Sequence, residues 1–118
     1  MTVPSKAPSN FTVTASSSTN ITTSWQLPPE DARNGIVRGF KLYYKKRGSI
    51  GFPITLIIRN QTIRTKDVIG LDKYTEYEFQ VLAFTSVGDG PKSSTEVART
   101  KADGNKFLLL ATEKDLLS

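Results

Sequence analysis

The sequence predicts an all-β protein, a seven-stranded antiparallel β-sandwich, and three observations carry that expectation. Apolar and polar side chains alternate with a period of two in short runs. The runs recur roughly every 8–12 residues, and the gaps between them hold the Gly, Pro, Asn and Asp that turns require. At 118 residues the chain suits one domain, large enough to bury a single core without covalent staples.

The elements follow in order. Residues 10–26, NFTVTASSSTNITTSWQ, place Phe11, Val13 and Ala15 on one face, break at Ser16-Ser17-Ser18, and resume as Ile21, Thr23 and Trp25. Two strands joined by a polar turn account for that pattern. Residues 27–35, LPPEDARNG, carry a proline pair and an Asn-Gly step that suit neither a helix nor a central strand, so they read as a loop. In IVRGFKLYYKK, Phe40, Leu42 and Tyr44 share one face while Lys41, Tyr43 and Lys45 share the other, a half-buried third strand. RGSIGFP then turns the chain, and ITLII at 54–58 makes a short β-branched strand ended by Asn60. Residues 62–69 set Ile63, Thr65 and Asp67 opposite Arg64, Lys66 and Val68, an imperfect alternation that predicts an irregular strand. The clearest strand spans 76–85, with Tyr77, Phe79, Val81 and Ala83 facing one way, and 93–100 form the last after Gly88, Gly90 and Pro91.

The outer segments read differently. Residues 1–7 are expected as an N-terminal linker, 8–101 as the domain and 102–118 as a C-terminal linker or tail. That tail holds a turn at Asp103-Gly104-Asn105, then apolar residues 107–110 and 116–117 around ATEKD, which suits one or two helical turns. It reads as a linker or as an amphipathic anchor. Its longest apolar run, FLLLA, is far below the roughly 20 residues that cross a bilayer, so no membrane insertion by this segment is expected. Met1-Thr2-Val3-Pro4 has neither the basic region nor the apolar stretch of a signal peptide, which fits a cytosolic protein or a piece of a longer chain.

Cysteine and histidine are both absent, which excludes thiol nucleophiles, disulfides, Cys/His zinc sites and imidazole general bases. The carboxylates are scattered, and no glycine-rich phosphate loop leads from a strand into a helix. No enzyme, cofactor or metal site is expected. A net charge of +5 favours polyanionic partners, or is simply the mild excess of a soluble surface.

Taken together, Pro8, Phe11 and Val13, Ile21 to Trp25, Pro28-Pro29, the run NGIVRGFKLYY, Leu71, Tyr77 with EFQVLA, and Gly88, Gly90 and Pro91 form a recurring order. It resembles the fibronectin type III domain over residues 8 to about 100. The resemblance implies an immunoglobulin-like Greek-key sandwich. It implies a core of Trp25, Phe40, Leu42, Tyr44, Leu71, Tyr77, Phe79 and Val81, with Trp25 as the central indole. Tyr77 falls at the tyrosine-corner position, its hydroxyl bonding back near Leu71 and Asp72. Lys73 stands where the family often has proline, which leaves the corner slightly less rigid. Integrin-binding members carry Arg-Gly-Asp in the last loop. TSVGDGP has no such triplet, and Arg47-Gly48-Ser49 lacks its carboxylate, so integrin recognition by that route is unsupported.

Three features are candidates for function. Asn10, Asn20 and Asn60 each begin an Asn-X-Thr glycosylation sequon, more than chance supplies, which points to an extracellular or lumenal life. In the resembled fold the third strand lies beside the sixth, so outward Tyr43 would neighbour Leu82 and Phe84 as a modest protein interface, unless the tail covers them or they are singly exposed. Arg38, Lys41, Lys45, Lys46 and Arg47, with Arg59 near, form a basic stripe. It suits heparin or another sulfated glycan, or is a solvated strand face. Nucleic acid is not expected, because the aromatics that would stack on bases are assigned mainly to the core.

The expected function is a non-catalytic interaction or spacer module, monomeric in isolation, from the ectodomain of a plasma-membrane receptor or adhesion protein. Its expected partners are protein ligands or neighbouring domains. The alternative is an intracellular repeat of a muscle filament-type protein.

Overall fold

A computed structural model of the chain describes residues 2–103 and contains seven strands: β1 (Ser9–Ala15), β2 (Ile21–Gln26), β3 (Gly39–Lys46), β4 (Ile54–Ile58), β5 (Thr65–Val68), β6 (Glu76–Phe84) and β7 (Glu96–Arg99). They form two antiparallel sheets ordered β1-β2-β5 and β4-β3-β6-β7. The chain changes sheet after β2, after β4 and after β5, the crossover pattern of a Greek-key sandwich. Of the tail expected at 102–118, residues 104–118, with the apolar run, lie outside the described residues.

The centre of the larger sheet is the pairing of β3 with β6, in register from Gly39 opposite Phe84 to Lys46 opposite Tyr77. That register sets Phe40 beside Ala83, Leu42 beside Val81 and Tyr44 beside Phe79, all on the inner face. Trp25 comes from the facing sheet and meets the Phe40 ring at 5.4 Å between centroids, tilted by 60°. The indole N–H is buried with no acceptor among the described residues. Packing still wins: an area of about 150–250 Å² at ~25 cal/mol/Å² contributes roughly 4–6 kcal/mol, against ~1–3 kcal/mol for one unmade hydrogen bond. Thr23 is also fully buried, and its hydroxyl donates to the Lys66 carbonyl at 2.9 Å.

The crossover from β5 to β6 is held by a small polar cluster. The Asp72 N–H donates to the Tyr77 hydroxyl oxygen at 2.9 Å. The Thr100 hydroxyl donates to the Asp72 carbonyl at 2.7 Å and accepts the Thr75 N–H at 2.9 Å. Between these anchors Tyr74 adopts a left-handed φ of 48°, a conformation costly for a non-glycine residue and retained because both flanks are fixed.

The structure corrects several expectations. The loop over 27–35 contains one turn of 3-10 helix, Glu30–Ala32, with Ala32 buried and its N–H bonded to the Pro29 carbonyl at 2.8 Å. The proline pair precedes the turn, where no intrahelical N–H is needed, so it does not oppose it. The fifth strand begins at Thr65 rather than 62, because Asn60 and Ile63 close a turn (Ile63 N–H to Asn60 carbonyl, 3.1 Å) that leaves Ile63 exposed. The last strand is limited to 96–99. Before it, β6 is flanked irregularly by Gly90, whose N–H bonds the Ala83 carbonyl at 2.9 Å, and by Ser93, whose hydroxyl accepts the Val81 N–H at 3.0 Å.

Within the expected N-terminal linker, residues 2–5 are bonded to the domain. The Thr2 N–H bonds the Asn34 carbonyl at 3.0 Å, the Ser5 N–H bonds the Ala32 carbonyl at 2.8 Å, and the Thr85 hydroxyl donates to the Thr2 carbonyl at 3.1 Å. Pro4 is fully buried against Gly90, where a Cβ would come within 2.8 Å of the proline ring. Gly39 is tighter still: a Cβ there would lie 2.1 Å from the Ile58 carbonyl oxygen and 2.9 Å from the Phe84 ring.

Two stability changes follow from these contacts. Tyr77→Phe should cost about 1 kcal/mol by stranding the Asp72 N–H. It should appear as a lower urea midpoint with an unchanged slope. Gly39→Ala should cost more, about 1–3 kcal/mol, because backbone rather than a movable side chain opposes the methyl. A midpoint for Gly39→Ala at or above that of the parent would contradict the close approach of β3 to β4.

Candidate functional site

Alternation places Tyr43, Leu82 and Phe84 on the outer face of the β3–β6 pair, and two lysines close it. Leu82 is buried, at 3% exposure, and Tyr43 and Phe84 are half-buried. The Lys92 ammonium sits over the Tyr43 ring at 4.1 Å, and Lys41 lies 5.9 Å from the Phe84 centroid. At Val81–Ala83, beyond its pairing with β7, β6 is flanked on one edge by β3 and on the other by residues 90–93, so long cationic stems have rigid aromatic surface to lie across. The expected open apolar centre is therefore absent at this place.

The basic stripe is also divided. Arg38 immediately precedes β3, with Lys46 at its far end and Arg47 just beyond, roughly 26–31 Å away at the rise of an extended strand. Lys41 bonds Asp89 at 2.9 Å, Arg47 bonds Glu76 at 3.2 Å, and Lys46 pairs with Asp72. Hydrogen bonding to the carboxylate holds Lys41 and Lys46 above the ordinary lysine value, while desolvation raises the Tyr43 phenol. The Lys45 ammonium donates to the Ser49 carbonyl at 3.1 Å. Three of the five cations are thus committed to carboxylates, which leaves a set of surface ion pairs rather than a continuous cationic track. Arg38 and Arg59 do come together, with Ile36, Val37 and Phe84, around a cavity of about 410 Å³.

The three sequons differ in setting. Asn10 is exposed at a bulge in β1 with φ 53°, and the Thr12 hydroxyl bonds Ser24 across the sheet at 2.8 Å. Asn20 is half-buried, and the Thr22 hydroxyl donates to Asp67 at 2.8 Å. Asn60 is exposed in the turn after β4, and its Oδ1 accepts both the Thr62 N–H at 2.9 Å and the Thr62 hydroxyl at 2.6 Å.

The exposed apolar surface lies elsewhere, where sequence reading assigned only a turn. Ile50 and Phe52 are fully exposed in the β3–β4 connection, Ile54 and Ile69 are exposed beside Phe52, and Ile57 is exposed on the other face of β4. Tyr44, Lys45, Phe52, Ile54, Ile69 and Leu71 line a second cavity of about 350 Å³ there. The available signal was the placing of large apolar residues beside the glycines of GSIGFP, where no strand period could bury them. Among the described residues no three Cys, His, Asp or Glu side chains gather as a metal site, and no helix is long and apolar enough to cross a membrane.

Fold and surface together define a two-sheet antiparallel β-sandwich module with an exposed apolar connection between β3 and β4. The fibronectin type III domain family model matches residues 6–99, and the chain belongs to that family. It is 38% identical to mouse Protein sidekick-2 over 101 residues and 40% identical to Drosophila melanogaster Tyrosine-protein phosphatase Lar over 101 residues. It is 41% identical to chicken Cell adhesion molecule DSCAM over 106 residues. In each case the match covers 86% of this chain but only 5% of the relative. Among solved structures, the FN1–FN3 domains of chicken CNTN1 superpose with a TM-score of 0.74 at 26% identity, over 86% of this chain and 33% of that one. The FN5 domain of Drosophila Lar gives 0.67 at 28% identity, over 86% of this chain and all of that one, 100%.

Removing the cation that covers Tyr43 tests the closed face. Lys92→Ala should lower stability by about 0.5–1 kcal/mol, the range for a cation over an exposed ring. Thermal melting of the variant beside Lys92→Arg, which keeps the cation, separates charge from packing.

Proposed function

We propose that the domain is a non-catalytic contact or spacer module in the ectodomain of an adhesion-type or receptor-type plasma-membrane protein. The observation that carries this reading is the family match, joined to relatives that include a protein named as a cell adhesion molecule. The three sequons support placing it outside the cell.

The fold supports the mechanical part of the role. The N-terminal segment is bonded near Asn34, Thr85 and Gly90, beside the start of β3, while Lys101 is bonded to Ser17 and Tyr74 beside the start of β6. The chain enters and leaves at opposite ends, separated by the length of β6, about 27 Å at the rise of an extended strand. One shared core connects the two ends, so the module transmits distance and stiffness without a hinge of its own. Protein contact is assigned to the exposed apolar connection at Ile50 and Phe52 rather than to the closed face at Tyr43.

Antibody against this domain, applied to intact cells expressing the full-length parent protein, tests the reading. Staining without permeabilisation is expected. Staining only after permeabilisation would overturn the ectodomain assignment and return the domain to an intracellular filament.

A further inference from the structure

Of the four sheet edges in the sandwich, three are guarded. β5 carries Lys66 and Asp67, β7 carries Glu96 and Arg99, and β1 is bent by the bulge at Asn10. A charge or a bulge is what prevents an unpaired strand from templating another chain. β4 has neither. It reads Ile-Thr-Leu-Ile-Ile, among the described residues is paired only to β3, and exposes Ile54 and Ile57. An uncharged β-branched edge meets a second copy of itself without repulsion, because antiparallel self-pairing centred on Leu56 sets Leu56 against itself, Ile54 against Ile58 and Thr55 against Ile57, with no charge in any pair.

Asn60 stands two residues beyond the end of this edge, within about 7 Å of Ile58 even with the chain extended. Its sequon is the only one of the three lying wholly in a turn, for Thr12 and Thr22 belong to strands and commit their hydroxyls across the sheet. At Asn60 both bonds from Thr62 go to Oδ1, and neither uses the nitrogen that would carry a sugar. We infer that Asn60 is an N-glycosylated residue and that its glycan guards the unpaired β4 edge against self-association. This rests on the ectodomain reading above.

The modification needs a transferase and a lipid-linked oligosaccharide diphosphate as donor. The Asn60 Nδ2 forms a bond to the anomeric carbon, the bond from that carbon to the diphosphate oxygen breaks, and the lipid diphosphate leaves with the electron pair. The nitrogen gives up one proton to a base of the transferase. The bulky, hydrated product at the strand end supplies the protection that charge supplies at β5 and β7.

The test uses this chain secreted from animal cells behind a signal peptide, as wild type, Asn60→Gln, Thr62→Ala and Thr62→Ser. Intact mass before and after enzymatic removal of N-glycans is followed by sedimentation over a concentration series. Wild type and Thr62→Ser, which keeps the sequon, should carry a glycan at Asn60 and sediment as monomers. Asn60→Gln and Thr62→Ala should lose that mass and move with concentration toward twice the monomer mass, and adding Ile57→Lys should return them to monomer. A glycan on Asn10 or Asn20 with Asn60 bare would overturn the inference while leaving the ectodomain reading intact. So would unglycosylated variants that stay monomeric throughout, or an association that Ile57→Lys does not reverse. No glycan at any sequon would remove both the inference and a main support of the ectodomain reading, which the staining of intact cells then decides separately.

Discussion

Everything in this domain depends on the contact between the two sheets at Trp25 and Phe40. The larger sheet supplies Phe40, Leu42, Phe79 and Val81 from the paired strands β3 and β6, and the smaller supplies Ile21 and Trp25 from β2. A register slip of one residue in β3 would turn Phe40 and Leu42 outward and bring Lys41 and Tyr43 in. The close approach of Gly39 to Ile58 and Phe84 fixes that register at one end, and the Tyr77–Asp72–Thr100 cluster fixes it at the other. The apolar contact supplies most of the free energy, and the polar and steric contacts select which arrangement receives it.

The alternating runs made the strands and their inner faces legible in the sequence, because the period of two is dictated by the backbone itself. What the period cannot report is the contents of the space above an outer position. Leu82 alternates outward and is nonetheless buried, since burial there depends on Lys41, Lys92 and residues 90–93 rather than on anything adjacent in the chain. The same reason hid the ion pairs: Lys41 and Asp89 are 48 positions apart, and Arg47 and Glu76 are 29 apart. A cluster of basic letters in one strand therefore read as a stripe until its partners were in place. Residues 2–5 look like a linker for a related reason, because they form no regular element and are held by Ala32 and Asn34 of the β2–β3 connection and Thr85 of the β6–β7 connection.

The candidate contact surfaces were legible only in part. The sequons are local patterns and were visible. The difference among them was not, because it depends on whether the threonine hydroxyl finds a cross-strand partner, as at Ser24 and Asp67, or stays with its own asparagine. Ile50 and Phe52 sit in a glycine-bounded turn, where apolar letters carry no period and sequence reading could not say whether they fold inward.

Charge also limits how such a module can recognise a partner. The net charge is +5, yet Lys41, Lys46, Arg47, Lys73 and Arg99 each lie within 4 Å of a carboxylate. Apart from Arg38 and Arg59, which share one cavity, the remaining cations among the described residues, such as Lys6, Lys66 and Lys101, are spread over both sheets and both ends. Long-range steering needs one sign of charge concentrated in one place, and screening over about 8 Å at physiological salt separates cations spread in this way. Among the described residues this favours the proposal that association through this domain uses short-range apolar and backbone contact. Those contacts are available at the β3–β4 connection and along the β4 edge, so whatever covers or leaves open that side of the sandwich decides whether the domain acts as a spacer or as a binding surface.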